Sequence, residues 1–443
     1  MRRIALSLAV LATLTVAGAQ SLTFWTTEEQ PERIDTQQRI MAAFEAETGI
    51  AVSVVPVTES QLGERVTAAF AAGDLPDVVF HPVNQTLGWA EAGVLDTAAA
   101  EEVVENLGRD TFGAGSLELM SYRGEVAAVP ADGWTQLLLY RADLFDEAGL
   151  AAPTNYDAIL EAARALHDPP NMYGFVAATD PSQDYMLQVV EHLALANGVQ
   201  LVDDDGTVTL DTPAFVEFLE FYRELAEMSP PGNLYWLQSR ELYHSGQAAM
   251  IVWSPFILDE LAGLRDEAPV PADEGRHSGW LAENTGFVTR LAGPSNPGGA
   301  GYAQVQGFGI TVDADIDAAQ TLVEHLLTDG YLDWLSMAAE GKFPVRSGTP
   351  DDPTRFVEGW AELEVGVDAL APLGSFYAPG VIDDLVEGLD TGDRWAFRQG
   401  EGPLVASLYG TRVMSEAIRE FLDGERDAEA TAARIQMQVE NLR

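Results

Sequence analysis

Apolar residues recur along the chain with two periods, and the alternation of those periods outlines the fold. Residues 22–25 form a short apolar run and read as a strand. Ile40, Met41 and Phe44 then recur at helical spacing, and Gly49 stands where a left-handed residue would close that helix. Residues 50–57 are rich in β-branched side chains and predict a strand. A second helix is predicted over 61–72, stopping at Gly73, and LPDVVF (75–80) is the next strand. This alternation implies parallel strands joined by crossover helices. Such sheets hold ligands in the loops beyond the carboxyl ends of their strands. Those loops are residues 26–29, the segment around Glu59, and residues 81–85.

Farther along, 125–130 and 136–140 read as adjacent strands, and 155–166 as a helix. Phe215, Leu219, Tyr222 and Leu225 stripe a helix over 215–228. Residues 248–253 predict a strand, as do 308–312, and 318–327 a helix. The stretch 266–301 is rich in proline, glycine and charge and reads as a loop. From Asp351 the chain is mostly helical, ending in helices over 411–422 and 428–442. No internal repeat, low-complexity tract or clean linker interrupts it, as expected of lobes that exchange strands.

Composition narrows the function. The 443 residues are 47% hydrophobic, enough for a large core. Asp and Glu number 70 against 24 Lys and Arg, a formal charge of −46, and Lys342 is the only lysine. Such a surface repels phosphate backbones and anionic lipid, so no nucleic-acid partner is expected and membrane surfaces are poor partners. The acids are spread along the whole chain, the pattern of a solvated, salt-adapted surface. Cysteine is absent, which removes disulfides, thiol catalysis, cysteine-ligated metals and a lipid-modified N-terminal cysteine. At the N-terminus Arg2 and Arg3 precede an apolar run over 4–16 and then Ala17-Gly18-Ala19. That order marks residues 1–19 as a secretory signal peptide, with the mature chain starting near Gln20 and residing in the periplasm.

Catalytic motifs are missing: there is no H-E-x-x-H, phosphate loop or G-x-S-x-G elbow. Asp313, Asp315, Asp317 and Glu324 mimic a calcium loop, but Ala318 stands where its glycine must be. They read as helix N-terminal charges. No metal and no cofactor are expected.

Five blocks resemble those of the extracellular solute-binding proteins, family 1. GDLPDVVF (73–80) resembles its G-x-x-PDV strand, and RGEVAAVP (123–130) its crossing strand. The stretch LLLYRADLFDEAGLAAPTNYDAILEAARAL (137–166) is similar to the family's most specific segment. YHSGQAAMIVWSPF (243–256) is similar to its "GKAAM…GPW", and AAEGKFPVRSGT (338–349) to its late "G..PVR" block. The blocks occur in family order across nearly the whole mature chain.

The resemblance implies an α/β, two-lobe periplasmic-binding-protein fold. Each lobe would be a mainly parallel sheet flanked by helices, with the ligand cleft between. One lobe would hold 20–130 plus 303–345, the other 131–302 plus 346–443. It further implies a monomeric, non-catalytic carrier. The carrier would close on a small molecule, in most members a carbohydrate of one or several rings, and deliver it to the transmembrane permease of an ABC importer. Carriers of a polyol or a polyamine, or a secreted glycosidase, are the alternatives.

Sugars offer apolar ring faces and hydroxyl edges, so aromatic rings beside carboxylates, amides and arginines are the residues to seek. Asn84 and Gln85 fall where maltodextrin-binding relatives carry an acid–base pair, with His81 in the same loop. Glu28 follows the first strand and Glu59 the second. Trp134 lies just past the crossing strand. Asp184 and Tyr185 sit in a polar loop and Trp236 within NLYWLQSR. Trp253 and Phe256 replace the family's "NGPW". Arg346 follows the late block, and Tyr377 matches the second aromatic of a late "F-W" pair. Trp89, Trp334 and Trp360 lie in helical patterns and read as core.

Overall fold

A computed structural model describes residues 21–265 and 279–443. The expected signal peptide and residues 266–278 of the expected loop lie outside the described residues. The chain opens with β1 (Ser21–Thr26), α1 (Pro31–Thr48), β2 (Ala51–Pro56), α2 (Glu59–Ala72), β3 (Val78–Pro82) and α3 (Val83–Glu91). β1 runs parallel to both β2 and β3, as the alternation requires. Ile40, Met41 and Phe44 are buried along α1. Its end is closed by Gly49, whose φ of 77° is open to glycine at little cost and whose N–H donates to the Glu45 carbonyl.

The main sheet is mixed rather than mainly parallel. Its order is Phe343–Pro344, Val129–Thr135, Asn296–Ile310, β3, β1, β2. The strand Asn296–Ile310 is antiparallel to both β3 and Val129–Thr135, and Phe343–Pro344 is antiparallel to Val129–Thr135. A second sheet joins Met250–Trp253, Leu137–Arg141 and Thr285–Val288, all antiparallel. Only isolated bridges, Tyr173 to Ala248 and Val176 to Ile251, add parallel pairing to it. The expected parallel order fails where the chain passes between sheets. There a strand entering one sheet runs back against the strand that left it.

Two local expectations change for the same reason. The strands expected over 125–130 and 136–140 are consecutive in sequence but belong to different sheets. The chain crosses at Gln136, whose N–H donates to the Tyr302 carbonyl. The glycine- and proline-rich stretch over 285–301 is strand, not loop. Its glycines permit close backbone approach: a Cβ on Gly299 would sit 2.5 Å from the Leu291 carbonyl oxygen. Arg290 ties the turn by donating to the carbonyls of Gly298 and Gly299.

Beneath the main sheet, Trp334 meets Phe80 and Phe308 edge-on at ring separations of 4.7 and 4.9 Å. Trp334 and Trp360 are fully buried and Trp89 nearly so, the core placement expected of them. The C-terminal third carries the expected helices, among them Pro379–Asp390, Gly402–Thr411, Val413–Leu422 and Ala428–Glu440.

Candidate ligand-binding cleft

A cavity of about 880 Å³ opens over the carboxyl ends of β1, β2 and β3. It falls within the size range, roughly 300–1,000 Å³, of small-molecule sites. The loop after β1 contributes Glu28 and Glu29, the first turn of α2 Glu59, and the first turn of α3 Asn84 and Gln85. The opposite wall is Trp134 from its strand, Asp184 and Gln188 one helical turn apart on Asp184–Ala196, and Phe256 from the turn after Met250–Trp253. Two smaller chambers continue it. One, of about 220 Å³, lies among Trp134, Gln136, Gln188, Trp253 and Phe256. The other, of about 300 Å³, is lined by Tyr185, Trp236, Trp253, Asp184 and Arg412.

The floor is a buried charge hub. Glu28 Oε1 lies 2.6 Å from Lys342 Nζ, and Glu28 Oε2 lies 2.6 Å from Arg33 Nη1. The same ammonium reaches Asp132 Oδ2 at 3.1 Å, an oxygen that also accepts from Trp334 Nε1 at 2.8 Å. Lys342 is 2% exposed and Asp132 fully buried. The faces of Phe80 and Trp334 lie 4.8 and 5.1 Å from the ammonium. Burial alone would raise the Glu28 carboxyl, but Lys342 and Arg33 override it and hold Glu28 below the ordinary carboxylate range. Burial works against the Lys342 charge, yet Asp132 and Glu28 keep it protonated. Burial pushes Asp132 up against the pull of Lys342. Glu28 is therefore an ionised acceptor at the cavity wall whose position is fixed by two cations.

Glu59 differs. It is exposed at the cavity mouth, yet desolvation, then the charges of Glu28 and Asp184, raise its carboxyl. Asn84 keeps a buried side-chain oxygen without a protein partner. Gln85 packs across α2, its Oε1 3.5 Å from where a Cβ on Gly63 would be. Phe256 lies over Gly341, where a Cβ would come within 2.1 Å of the ring, so the glycine before Lys342 makes room for that aromatic wall. Trp253 stacks on Trp236 at 5.4 Å and 18°, and Tyr185 meets it edge-on at 5.2 Å. The Tyr185 hydroxyl is engaged by the Val252 carbonyl, so this residue offers the chamber only its ring.

Gln304, opposite Trp134 in the sheet, accepts from Arg394 through Oε1. Arg394 is held in turn by the fully buried Glu191, which also accepts from the Trp395 N–H and the Tyr409 hydroxyl. Gln304 also lines the main cavity.

Three expected site residues lie elsewhere. His81 is fully buried, its Nδ1 at 3.1 Å from the Pro82 carbonyl and its ring on Trp89. Burial lowers it to about 4, so it is neutral and part of the core. Unfolded His81 binds a proton below its ordinary 6.5, the folded one only below about 4. Stability contributed by this residue is therefore expected to fall by about 1.4 kcal/mol per pH unit between 6.5 and 4. His81→Gln is expected to flatten that limb of the unfolding free energy against pH, followed by denaturant melts at several pH values.

Arg346 is the second displaced residue. It donates to the carbonyls of Leu107 and Leu327, at the C-terminal ends of two helices, and to Thr111 Oγ1. It thus satisfies helix-end acceptors and lies between the rings of Phe112 and Phe356. Tyr377 is the third: buried, donating to the Leu258 carbonyl at 2.6 Å.

Residues that sequence reading did not place here include Arg33, Glu64, Gln188, Gln304, Gln306 and Lys342. One signal was present: Lys342 is the only lysine, beside a glycine in the same late block as Arg346. Asp313 and Glu324, the ends of the calcium-like spacing, are spent on the Leu75 N–H and the Asn106 amide. Among the described residues no group of three or more acids and histidines is placed to hold a metal ion. No helix of the described residues is long and apolar enough to cross a membrane.

A two-lobe α/β fold with an aromatic and carboxylate-lined cleft fed by both sheets is the architecture of a solute-binding protein. The chain belongs to the bacterial extracellular solute-binding protein family, whose model matches residues 30–332. It is 26% identical over 429 residues, 95% of this chain and 92% of the relative, to YcjN of Escherichia coli (strain K12), provisionally named an ABC transporter periplasmic-binding protein. Among solved structures it resembles maltose-bound MalE3 of T. maritima, with a TM-score of 0.69, 19% identity, and coverage of 96% of this chain and 100% of that one. It also resembles the cyclic α-maltosyl-1,6-maltose binding protein of Arthrobacter globiformis, with a TM-score of 0.73, 16% identity, and coverage of 96% and 99%.

Proposed function

We propose that this protein captures a carbohydrate in the periplasm by hinge closure and delivers it to the permease subunits of an ABC importer. The observation that carries the reading is the pairing of surfaces in one cleft. The rings of Trp134, Phe256 and Trp253 face Glu28, Asn84, Gln85, Asp184, Gln188 and Gln304. Apolar faces set against convergent donors and acceptors match a sugar ring and its hydroxyls. The two solved relatives named for maltose and a cyclic maltosyl sugar support the same class of cargo.

In this reading the lobes are 20–130 plus 303–345 and 131–302 plus 346–443, residues 1–19 are a signal peptide, and the working unit is a monomer. The importer should recognise the closed state, so the ligand must bind that state more tightly than the open one.

A polyamine is the second reading, favoured by a specific feature. Glu29, Glu59, Glu64 and Asp184 line the cavity, while its cations Arg33 and Lys342 are both engaged by Glu28. Thermal stability in high salt, screened against mono-, di- and trisaccharides, polyols and polyamines, separates the two. A ligand specific for the folded state raises stability by about 2.7 kcal/mol at 100 times its Kd. A shift confined to saccharides, with the sugar recovered intact, is the expected result. A shift confined to polyamines replaces the cargo, and hydrolysed sugar makes the protein a glycosidase.

A further inference from the structure

We infer that the buried Glu191–Arg394 ion pair is a positioning device for the cleft. It fixes the wall that carries Asp184, Gln188, Trp134 and Gln304, and it acts on ligand affinity through Gln304. The inference rests on the reading of this cavity as the ligand site. It goes beyond that reading because neither member of the pair lines the cavity or its two chambers.

Three segments that build this wall meet at one guanidinium. The first is the helix Asp184–Ala196. Asp184, Gln188 and Glu191 fall at i, i+4 and i+7 and so share one face of it. Asp184 and Gln188 stand at the cavity end of that face, and Glu191, about one turn farther in, is fully buried. The second is the strand Asn296–Ile310. Its Tyr302 ring lies 4.7 Å from the guanidinium carbon of Arg394, and its Gln304 Oε1 accepts from Arg394 Nη1. Arg394 itself follows Gly392–Asp393, which pairs with this strand at Gly301 and Tyr302. The third is the crossing strand Val129–Thr135, pinned to the second. Trp134 stands opposite Gln304, and the Tyr302 carbonyl accepts from Thr135 Oγ1 at 2.9 Å and the Gln136 N–H at 3.1 Å.

A guanidinium only donates, so the oxygen of Gln304 is the atom turned to Arg394, and the orientation of the carboxamide is fixed. Among the described residues that carboxamide has no other hydrogen-bond partner. Its place in the wall therefore depends on where Arg394 is held.

Arg394 is held firmly. Glu191 Oε1 accepts from Arg394 Nε at 2.9 Å and from the Trp395 N–H at 2.7 Å, and Oε2 accepts from the Tyr409 hydroxyl at 2.9 Å. The pair is dry, with Arg394 3% exposed. Desolvation makes such a pair a poor source of stability, and apolar residues of similar size often replace it at no loss. What an apolar pair does not supply is a fixed donor for Gln304.

That difference is the test. Glu191→Leu with Arg394→Met removes both charges together and leaves neither buried alone. Wild type, this pair variant, Gln304→Ala and the combination are melted without ligand. They are then titrated calorimetrically with maltose, cellobiose, lactose, xylobiose and spermidine. For the probe that wild type binds, the pair variant should bind about tenfold more weakly while its melting temperature stays near that of wild type. Gln304→Ala should lose about tenfold as well. The combination should lose no more than either alone, because both remove the same contact. Unchanged affinity in the pair variant overturns the inference and leaves the cleft reading standing. So do losses that multiply to about a hundredfold in the combination, since the pair would then act elsewhere than on Gln304. Should the pair variant fail to fold, the same cycle is run with Arg394→Lys, which keeps the charge but not the fork. Its loss of affinity should vanish in the Gln304→Ala background, and an equal loss in both backgrounds overturns the inference. A wild type that binds spermidine alone overturns the carbohydrate cargo, and the cycle is then read with spermidine. A wild type that binds none of the five probes overturns the cleft reading, and this inference with it.

Discussion

Lys342→Met is expected to destabilise the protein by about 3–5 kcal/mol, the cost of leaving a buried charge without its partner. Two carboxylates, Glu28 and Asp132, depend on that one ammonium, and Asp132 already has one oxygen, Oδ1, without a partner. Arg33 would still hold Glu28. Asp132 would keep only the Trp334 N–H. Adding Asp132→Asn to Lys342→Met should recover part of the loss, because a neutral amide costs less to bury than a carboxylate.

The pH dependence separates this account from simple loss of packing. Glu28 is held below its ordinary 4.5, so its share of stability is present above pH 4.5 and is lost as pH falls through the folded value. Lys342 is held above 10.5, so its share is present below pH 10.5 and is lost as pH rises through the folded value. The methionine variant should lack that alkaline limb. It should also approach wild type on acidification, as its uncompensated carboxylates take up protons. Denaturant melts from pH 4 to 11 read both. A constant gap across that range would mean the ammonium does no electrostatic work.

If the cargo is the proposed carbohydrate, Trp253→Ala is expected to lower its affinity by about 2 kcal/mol, some thirtyfold, as for a central aromatic anchor. Trp253 walls both smaller chambers and is stacked by Trp236 and braced by Tyr185. A ligand ring on it is held by a platform that does not have to be ordered on binding. Trp253→Phe should recover much of the loss, since the ring face remains. Isothermal titration checks both. Equal affinity in wild type and the alanine variant would remove Trp253 from the site and move the cargo to the main cavity alone.

The succession β1, α1, β2, α2, β3 was legible because period and helix ends are properties of neighbouring residues. Trp134, Trp253, Phe256, Asp184, Glu28, Glu59, Asn84 and Gln85 were reachable because loops after strands and aromatic–polar neighbours are local signals. All eight line the cleft or its chambers. The block GKFPVR marked the right segment but not the right cation. Lys342 turns to the cleft under Glu28, while Arg346, four residues on, faces the helix ends at Leu107 and Leu327. Nothing in the six residues says which cation faces which way, because the acceptors that decide it are 19 to 314 positions away.

By itself, then, the sequence determined the α/β class, the acidic and cysteine-free surface, the family, and the loops from which a ligand would be held. Tertiary structure decided the rest. It made the sheets mixed, because the crossings through Gln136 and Asn296–Ile310 return strands against their neighbours. It withdrew His81, Arg346 and Tyr377 into the interior, where buried carbonyls had to be satisfied. It brought Glu28 and Asp132 onto the one ammonium of Lys342 and stacked Trp236 on Trp253. Charge pairing and desolvation act through space between residues hundreds of positions apart, and no local pattern encodes that proximity.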